Sequence, residues 1–422
     1  MYYYGLLLFF LLEYVRPTSY VSGLSALHIN SLVPLGVFVG SMLSNGMVKT
    51  IDVLRSTNTR WLMFFVFLII VSGLTCDVKI YVFNAFMMVI GYLLIYLVIK
   101  KEIYSLDRMK GVFNILILVH VIVAALTPEM FSGDGQRHYI ASGSFIGDGN
   151  DFALSVNIVI PFCLYLMLES NTLITRLAYA GTLVALVMAV LVTQSRGGVI
   201  ALACIGLYLW RKSERKILGV VGIVVMCVIA VSFAPMELSQ RMETLTGEQL
   251  DGSAQGRLMA WGSAIRMAAD NPILGVGVGH FPVKFGKEYR PEGYGSSDIP
   301  WLTAHSSYFL ILGELGIPGI TFLLAIIVVN FMAGERTLRE INRHRMKSNV
   351  DCRGLVIALN ASLVGFAVGG AFLSAVYYPH IYFLAALLEC GRDITRNSLG
   401  PEVLPHRLEG DVSLASYRGA AI

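Results

Sequence analysis

Residues 80–127 read IYVFNAFMMVIGYLLIYLVIKKEIYSLDRMKGVFNILILVHVIVAALT. Two apolar runs, 80–99 and 111–127, each approach the roughly 20 residues that carry an α-helix across a bilayer. The link between them holds Lys100, Lys101, Arg108 and Lys110. Cytoplasmic loops collect Lys and Arg, so this pattern predicts a helical hairpin that crosses a membrane and turns on the cytoplasmic side.

Outward from this hairpin the alternation repeats. Further runs at 1–15, 29–44, 61–76, 151–169, 177–194, 197–210, 217–233, 304–332, 354–373 and 377–391 bring the expected count to about twelve transmembrane helices. Several are short and need little tilt, a thinned bilayer or protein cover. The chain of 422 residues is 56% hydrophobic and 14% charged, a balance that a soluble core of this size does not call for. The expected fold class is an all-α integral membrane protein.

The net charge of +4 would hint at nucleic acid in a soluble chain, but here the cations sort by side. Alternate connections carry Lys49, Arg55 and Arg60; the Lys100–Lys110 group; Arg176; Arg211, Lys212, Arg215 and Lys216; and Arg336, Arg339, Arg343, Arg345, Lys347 and Arg353. The opposite short connections hold Arg16, Lys79, Arg137 and Arg196. The positive-inside rule therefore places both termini in the cytoplasm and the long interruption 234–303 outside, and no nucleic-acid partner is expected. The six cysteines lie in or beside apolar runs without metal-ligand spacing and read as packing residues. The first run has no basic n-region or small-residue cleavage site and reads as a retained span.

Four regions follow: spans over 1–143, a core over 144–332 that includes the loop 234–303, a basic cytoplasmic loop with the last two spans over 333–391, and a polar, poorly ordered tail over 392–422. Within the loop, GRLMAWGSAIRMAADNP places Leu258, Trp261, Ile265 and Ala268 at helical spacing and stops at Asn271-Pro272. This predicts a helix over about 255–270, lying on the membrane surface or over the bundle. No internal repeat is evident, which counts against an inverted-repeat transporter.

Chemistry-bearing residues gather on the outer side. Arg196, in VTQSRGGVIAL, stands beside a span, where a cation costs about 2.5 to 3.5 kcal/mol at the bilayer centre and less toward the interface. With the polar Thr193, Gln194 and Ser195 and the flexible Gly197-Gly198 it forms an anion cradle; the competing reading is an arginine reaching for lipid headgroups. Arg257 opens the loop helix, where free N–H groups plus a guanidinium suit a phosphate. Arg266, nine residues on, lies about 180° around the same helix and would serve a different neighbourhood. Lys284, Lys287 and Arg290 add positive charge that would help collect an anionic lipid.

WLTAHSSYFLILGELGIPG, 301–319, places His305 at the outer start of a span. An imidazole there serves either as a general base near neutral pH or as an ordinary hydrogen-bonding interfacial residue. Glu314 is expensive in lipid and must be paired or protonated; it reads first as support for the Gly316-Ile317-Pro318-Gly319 break. In SFIGDGNDFA, 144–153, Asp148, Asn150 and Asp151 either contact a sugar or cap the next helix. GVGVGH lacks the strand-turn-helix context of a dinucleotide loop, and HExxH, DxD and GxSxG are absent, so neither nucleotide cofactor nor metal is expected.

The ordered set TQSRGGVIAL, GRLMAWGSAIRMAADNPILGVGVGHF and AHSSYFLILGELGIPG, preceded by FIGDGNDFA, resembles the O-antigen ligase and polymerase superfamily of bacterial inner-membrane glycan transferases. The similarity covers roughly 144–332. It implies a donor glycan on undecaprenyl diphosphate, transferred on the periplasmic side without cofactor or metal to a lipid, glycan or protein acceptor. It also implies that Arg196 and Arg257 hold the diphosphate and that His305 activates the acceptor. The family often has His-Asn where this chain has His305-Ser306, so an amide hydrogen bond is replaced or lost. The serine pair and GGAFLSAVYYPHIYFLAAL are similar to the exosortase-associated branch. A polymerase that uses a second lipid-linked glycan as acceptor fits the same residues. A transporter of lipid-linked sugars, a different class, would place charges deep in several helices.

Overall fold

The computed structural model describes residues 1–21, 23, 29–127, 145–214, 216–217, 219, 252–291, 301–343 and 350–399. The expected span 217–233, apart from 217 and 219, the loop interior 234–251 and 292–300, Arg215, Arg345, Lys347, Arg137 and the tail from 400 lie outside the described residues.

The long helices are α1 (Tyr2–Val15), α2 (Ile29–Leu43), α3 (Thr57–Thr75), α4 (Lys79–Glu102), α5 (Leu106–Leu126), α6 (Gly149–Glu169), α7 (Leu173–Val192), α8 (Arg196–Lys212), α9 (Gly252–Asp270), α10 (Ser307–Arg343), α11 (Val350–Gly369) and α12 (Pro379–Leu399). No strand occurs among the described residues. Hydroxyl and carboxylate side chains start several of them: Ser56, Ser105, Asp148, Thr172 and Ser195 each accept a backbone N–H of the first turn, which satisfies donors a helix leaves open.

By length and composition, seven helices are apolar enough to cross a membrane: α3, α4, α5, α6, α7, α10 and the stretch Cys352–Phe372 that contains most of α11. Tyr2–Val15 and Leu32–Leu43 are apolar but shorter. Of the expected runs in described chain, each has a helix beneath it. The hairpin of 80–127 is α4 and α5, joined at Ile103–Ser105.

The described connections gather at two ends of the bundle. At one end Lys101 Nζ donates to the carbonyls of Ser41 (2.6 Å) and Ser44 (2.9 Å), and Arg108 pairs with Glu102 at 3.1 Å. At the other, the start of α6 meets the α7–α8 turn, and α9 packs on α10. This second end carries the candidate site.

Two expected boundaries need correction. The last expected span ends near 391, whereas α12 runs on to Leu399, which packs with Leu338, Ile341 and Val356 in a small apolar cluster. The same cluster extends α10 to Arg343, well past the apolar run that ends near 332. The 333–391 region therefore begins as helix rather than loop.

Hydropathy also understates α12. It is buried over most of its length yet carries Glu389, Arg392 and Asp393. Enclosure by protein lets these charges pair: Lys100 Nζ lies 2.7 Å from Asp393 and 3.8 Å from Glu389, Tyr96 donates to Glu389 at 3.0 Å, and Arg392 donates to Asn330 Oδ1 at 3.1 Å. A second polar string crosses the bundle nearer the site. His120 Nδ1 faces the Leu116 carbonyl at 2.6 Å, so that nitrogen carries the proton, and its Nε2 meets Ser155 Oγ at 2.5 Å.

Candidate functional site

The site end is organised by a break in α10. Gly316 adopts φ 61°, ψ −151° inside the helix, a region open essentially to glycine alone. The break leaves Ile317 N–H without a helical acceptor, and the Pro272 carbonyl from the end of α9 takes it at 2.8 Å. The turn that follows, LGVGVGH, lies along α10 like a short strand: Val276 N donates to Gly313 O at 2.9 Å and Gly277 N to Glu314 O at 3.0 Å. Gly277, at φ 103°, sits where a Cβ would collide with Cys76 Sγ. The GVGVGH glycines therefore serve a close backbone docking, which is a structural use distinct from phosphate binding.

Glu314 fixes this arrangement from below. It is 2% exposed; one carboxylate oxygen accepts Phe281 N–H at 3.3 Å and the other accepts the Tyr377 hydroxyl at 2.7 Å. Its contacts are those of a clamp between the turn, α10 and the segment before α12. The turn also reaches α3 and α4, since Val278 N donates to Ser72 Oγ at 3.0 Å and Val78 N donates to His280 Nε2 at 3.2 Å.

His305 is exposed and held in the left-handed region at φ 46°. Among the described non-glycine residues only Arg16, Gln194 and His305 have positive φ, and two of these three are sequence-chosen site residues. Strain of this kind persists only where neighbours enforce it. Here they do. Trp261 Nε1 donates to the Ala304 carbonyl at 2.9 Å and stacks on Phe309. Ser307 Oγ donates to Leu373 O at 2.7 Å and accepts Ala375 N–H at 2.9 Å, while the Thr303 and Ser374 hydroxyls are 3.2 Å apart. The second serine of His-Ser-Ser is thus a staple to residues 373–375.

Arg196 is half-buried and is the first residue of α8. Gln194, at φ 52°, makes the sharp turn from α7, and Ser195 caps α8 by accepting Gly198 N–H at 3.1 Å. Thr193 gives its hydroxyl proton to Val190 O at 2.6 Å, so Thr193 and Ser195 build the turn. Asn157 donates to the Gly198 carbonyl at 2.9 Å, locking α8 to α6. Asp148 Oδ1 accepts the amides of Asn150 (2.7 Å) and Asp151 (2.9 Å), which is helix capping; Asn150 lies half-buried on the same turn.

Arg257 needs a correction of setting. The loop helix starts at Gly252 rather than 255, so Arg257 falls in its second turn and the free N–H groups of the helix start are not beside it. Of the four residues at helical spacing, Ala268 is buried and Trp261 stacks on Phe309. Ala260, Ser263, Ala264 and Met267 are buried, whereas Leu258 and Ile265 are more than half exposed; small residues allow α9 to approach α10 closely. Arg266 donates to Tyr289 O at 2.7 Å. Lys284 pairs with Glu288 at 2.8 Å and Asp77 at 3.4 Å. The bond to Glu288 raises its pKa above the ordinary lysine value against partial burial, with Asp77 adding to the rise.

One segment links these pieces. Phe372 packs where a Cβ on Gly197 would fall, directly after Arg196, and residues 373–375 hold Ser307. The start of α8 and the His305 turn therefore rest on the same short stretch, 370–378, while Trp261 ties the Arg257 helix to Ala304. Sequence reading did not find the roles of Phe372, Ser374, Tyr377 or Trp261; the Trp at one turn from Arg257 and the Tyr-Tyr before Pro379 were the available signals. Among the described residues, no group of three or more His, Cys, Asp or Glu side chains converges to hold a metal ion.

No curated protein matches the chain. Residues 181–324 match the family model described as O-antigen ligase. The matched region runs from α7 through the break in α10 and contains Arg196, Arg257, His305 and Glu314. Carried on a bundle of apolar helices, this match supports membership of the chain in the O-antigen ligase superfamily.

Proposed function

We propose that the protein transfers a glycan from undecaprenyl diphosphate to an acceptor hydroxyl on the periplasmic face of the bacterial inner membrane. The observation that carries this reading is the shared support of residues 370–378 beneath both Arg196 and His305, with Arg257's helix tied to the same turn through Trp261. In this reading Arg196 and Arg257 hold the diphosphate. The N-terminus of α8 adds partial positive charge beside Arg196.

His305 takes the proton of the acceptor hydroxyl as its oxygen attacks C1 of the donor sugar. The C1–O bond to the diphosphate breaks as the new bond forms, and the leaving diphosphate keeps the electron pair. Attack opposite the leaving group inverts C1. Charge on the departing phosphate oxygen is greatest at the transition state, where guanidinium donors stabilise it most. The left-handed backbone at His305 supports a positioned base, because that conformation is maintained by Trp261 and Ser307. Neither a nucleotide nor a metal enters the scheme.

Sidedness follows from charge. The end that holds Lys100, Lys101, Arg108 and Lys212 faces the cytoplasm under the positive-inside rule, which turns the His305 end outward and leaves both termini inside. Twelve spans complete this topology if the stretch 217–233 crosses once. The test is transfer by purified protein given an undecaprenyl-diphosphate glycan and candidate lipid, glycan and protein acceptors. His305→Ala is expected to lose about 10² to 10⁴-fold in rate, and Arg196→Ala also to lose activity. Full activity in both variants overturns the mechanism, and movement of lipid across liposomes without transfer overturns the class.

A further inference from the structure

Helix α9 packs Trp261 and Met267 toward the protein but turns Leu258 and Ile265 away from it. Leu258 is 52% and Ile265 54% exposed; seven residues apart, they share one helical face. Just past the helix, Ile273 is 70% exposed, and the bond from Ile317 N to Pro272 O places it beside Ile317, itself 58% exposed. From Ile317 the exposed face continues along α10 through Leu324, Val328 and Met332, at steps of seven, four and four residues. That helix is one of those long and apolar enough to cross a membrane. Exposed apolar side chains therefore occur on a membrane-crossing helix, at the junction beside it and on the loop helix.

Exposed apolar side chains gathered in one patch mark a surface that meets something apolar. The flanks indicate what. Arg257 precedes Leu258 and the exposed Arg266 follows Ile265, the arrangement of a helix that lies in a bilayer interface with cations at headgroup depth. The inward face is formed by Ala260, Ser263, Ala264 and Met267, which leaves Leu258 and Ile265 on the outward face.

We infer that α9 is an interfacial helix whose Leu258–Ile265–Ile273 strip contacts the acyl chains of the leaflet at the site end. The partner is membrane lipid.

The test uses the wild-type chain in vesicles of phosphatidylethanolamine and phosphatidylglycerol doped with a phospholipid carrying a diazirine on its acyl chain. After photolysis, adducts are mapped by mass spectrometry. Lipid adducts are expected within 258–273 as well as on 317–332, and the Leu258→Gln/Ile265→Gln double variant is expected to lose those in 258–273 while keeping the others. Adducts on 317–332 with none on 258–273 overturn the inference, as does cross-linking of α9 to a second copy of the chain. Because the readout needs no glycosyl transfer, a loss of the enzymatic reading leaves this result interpretable, and the reverse also holds.

Discussion

The acids packed among the helices at one end of the bundle and those that set the loops at the other are satisfied in different ways, although Lys284 at the site end also pairs with Glu288 and Asp77. At the end that carries Lys100 and Lys101, carboxylates meet cations: Asp393 and Glu389 face Lys100, Glu102 faces Arg108, and Glu335 faces Lys212. At the site end, the two acids nearest the α10 break and the α6 start serve backbone amides and a phenol. Glu314 accepts Phe281 N–H and the Tyr377 hydroxyl, and Asp148 accepts two helix amides. Ion pairs tolerate sliding of one long side chain against another, whereas amide-to-carboxylate bonds fix the path of a loop. The difference teaches that one end is fastened and the other is shaped.

Glu314→Ala tests the shaped end most severely. It leaves the buried Phe281 amide and Tyr377 hydroxyl without acceptors, and about 3 to 5 kcal/mol of stability is expected to go. Thermal unfolding in detergent measures it. Glu314→Gln, which keeps one acceptor oxygen, should recover more than half of that loss. At the fastened end, Lys100→Met removes the cation shared by Glu389 and Asp393. Asp393 is half exposed, which lowers the cost to about 2 to 3 kcal/mol. The comparison breaks if Lys100→Met also abolishes transfer activity in protein that remains folded, since this end is assigned no part in the chemistry.

Much of the fold was legible because apolar length and basic links are local signals. The hairpin of α4 and α5, the α10 break at Gly316-Ile317-Pro318-Gly319 and the position of the loop helix all followed from them. What failed depended on neighbours. The apolar spacing of Leu258, Trp261, Ile265 and Ala268 marks a helix but does not say which face is inward, and Ala260, Ala264 and Met267 took that role because α10 comes close. Likewise α12 carries charges that lower its hydropathy, and only the presence of Lys100 and Asn330 beside it shows how an otherwise buried helix pairs them. For the site, the residue types of Arg196, Arg257 and His305 were visible in the motifs, while the stretch 370–378 that supports two of their turns was visible only as a family-like tail, since its partners Glu314 and Ser307 lie 63 and 66 residues away in the chain.

Paired substitutions in the helix caps sharpen the comparison further. Ser195→Ala at the site end and Ser105→Ala at the other each remove a cap bond and should cost about 1 kcal/mol. The stability losses are expected to match. Only Ser195→Ala should also slow transfer, because the same hydroxyl fixes the turn that presents Arg196. Equal activity in the two variants would show that the turn holds its shape without the cap.

The smallest effect is expected at Asp148, and its smallness is the point. If the carboxylate matters only as a cap, Asp148→Asn keeps an acceptor oxygen for the Asn150 and Asp151 amides and should change stability by less than about 0.5 kcal/mol. Transfer should stay within about twofold, by the same reasoning that a retained cap leaves the α6 start in place. Asp148→Ala, which removes the acceptor, should cost about 1 kcal/mol. A sugar contact predicts a different order: charge would matter, and Asp148→Asn would lower transfer while leaving the unfolding temperature unchanged. Measuring both variants for both properties separates an acid that shapes the loop from one that touches the substrate, because only the second lets activity fall while the cap remains.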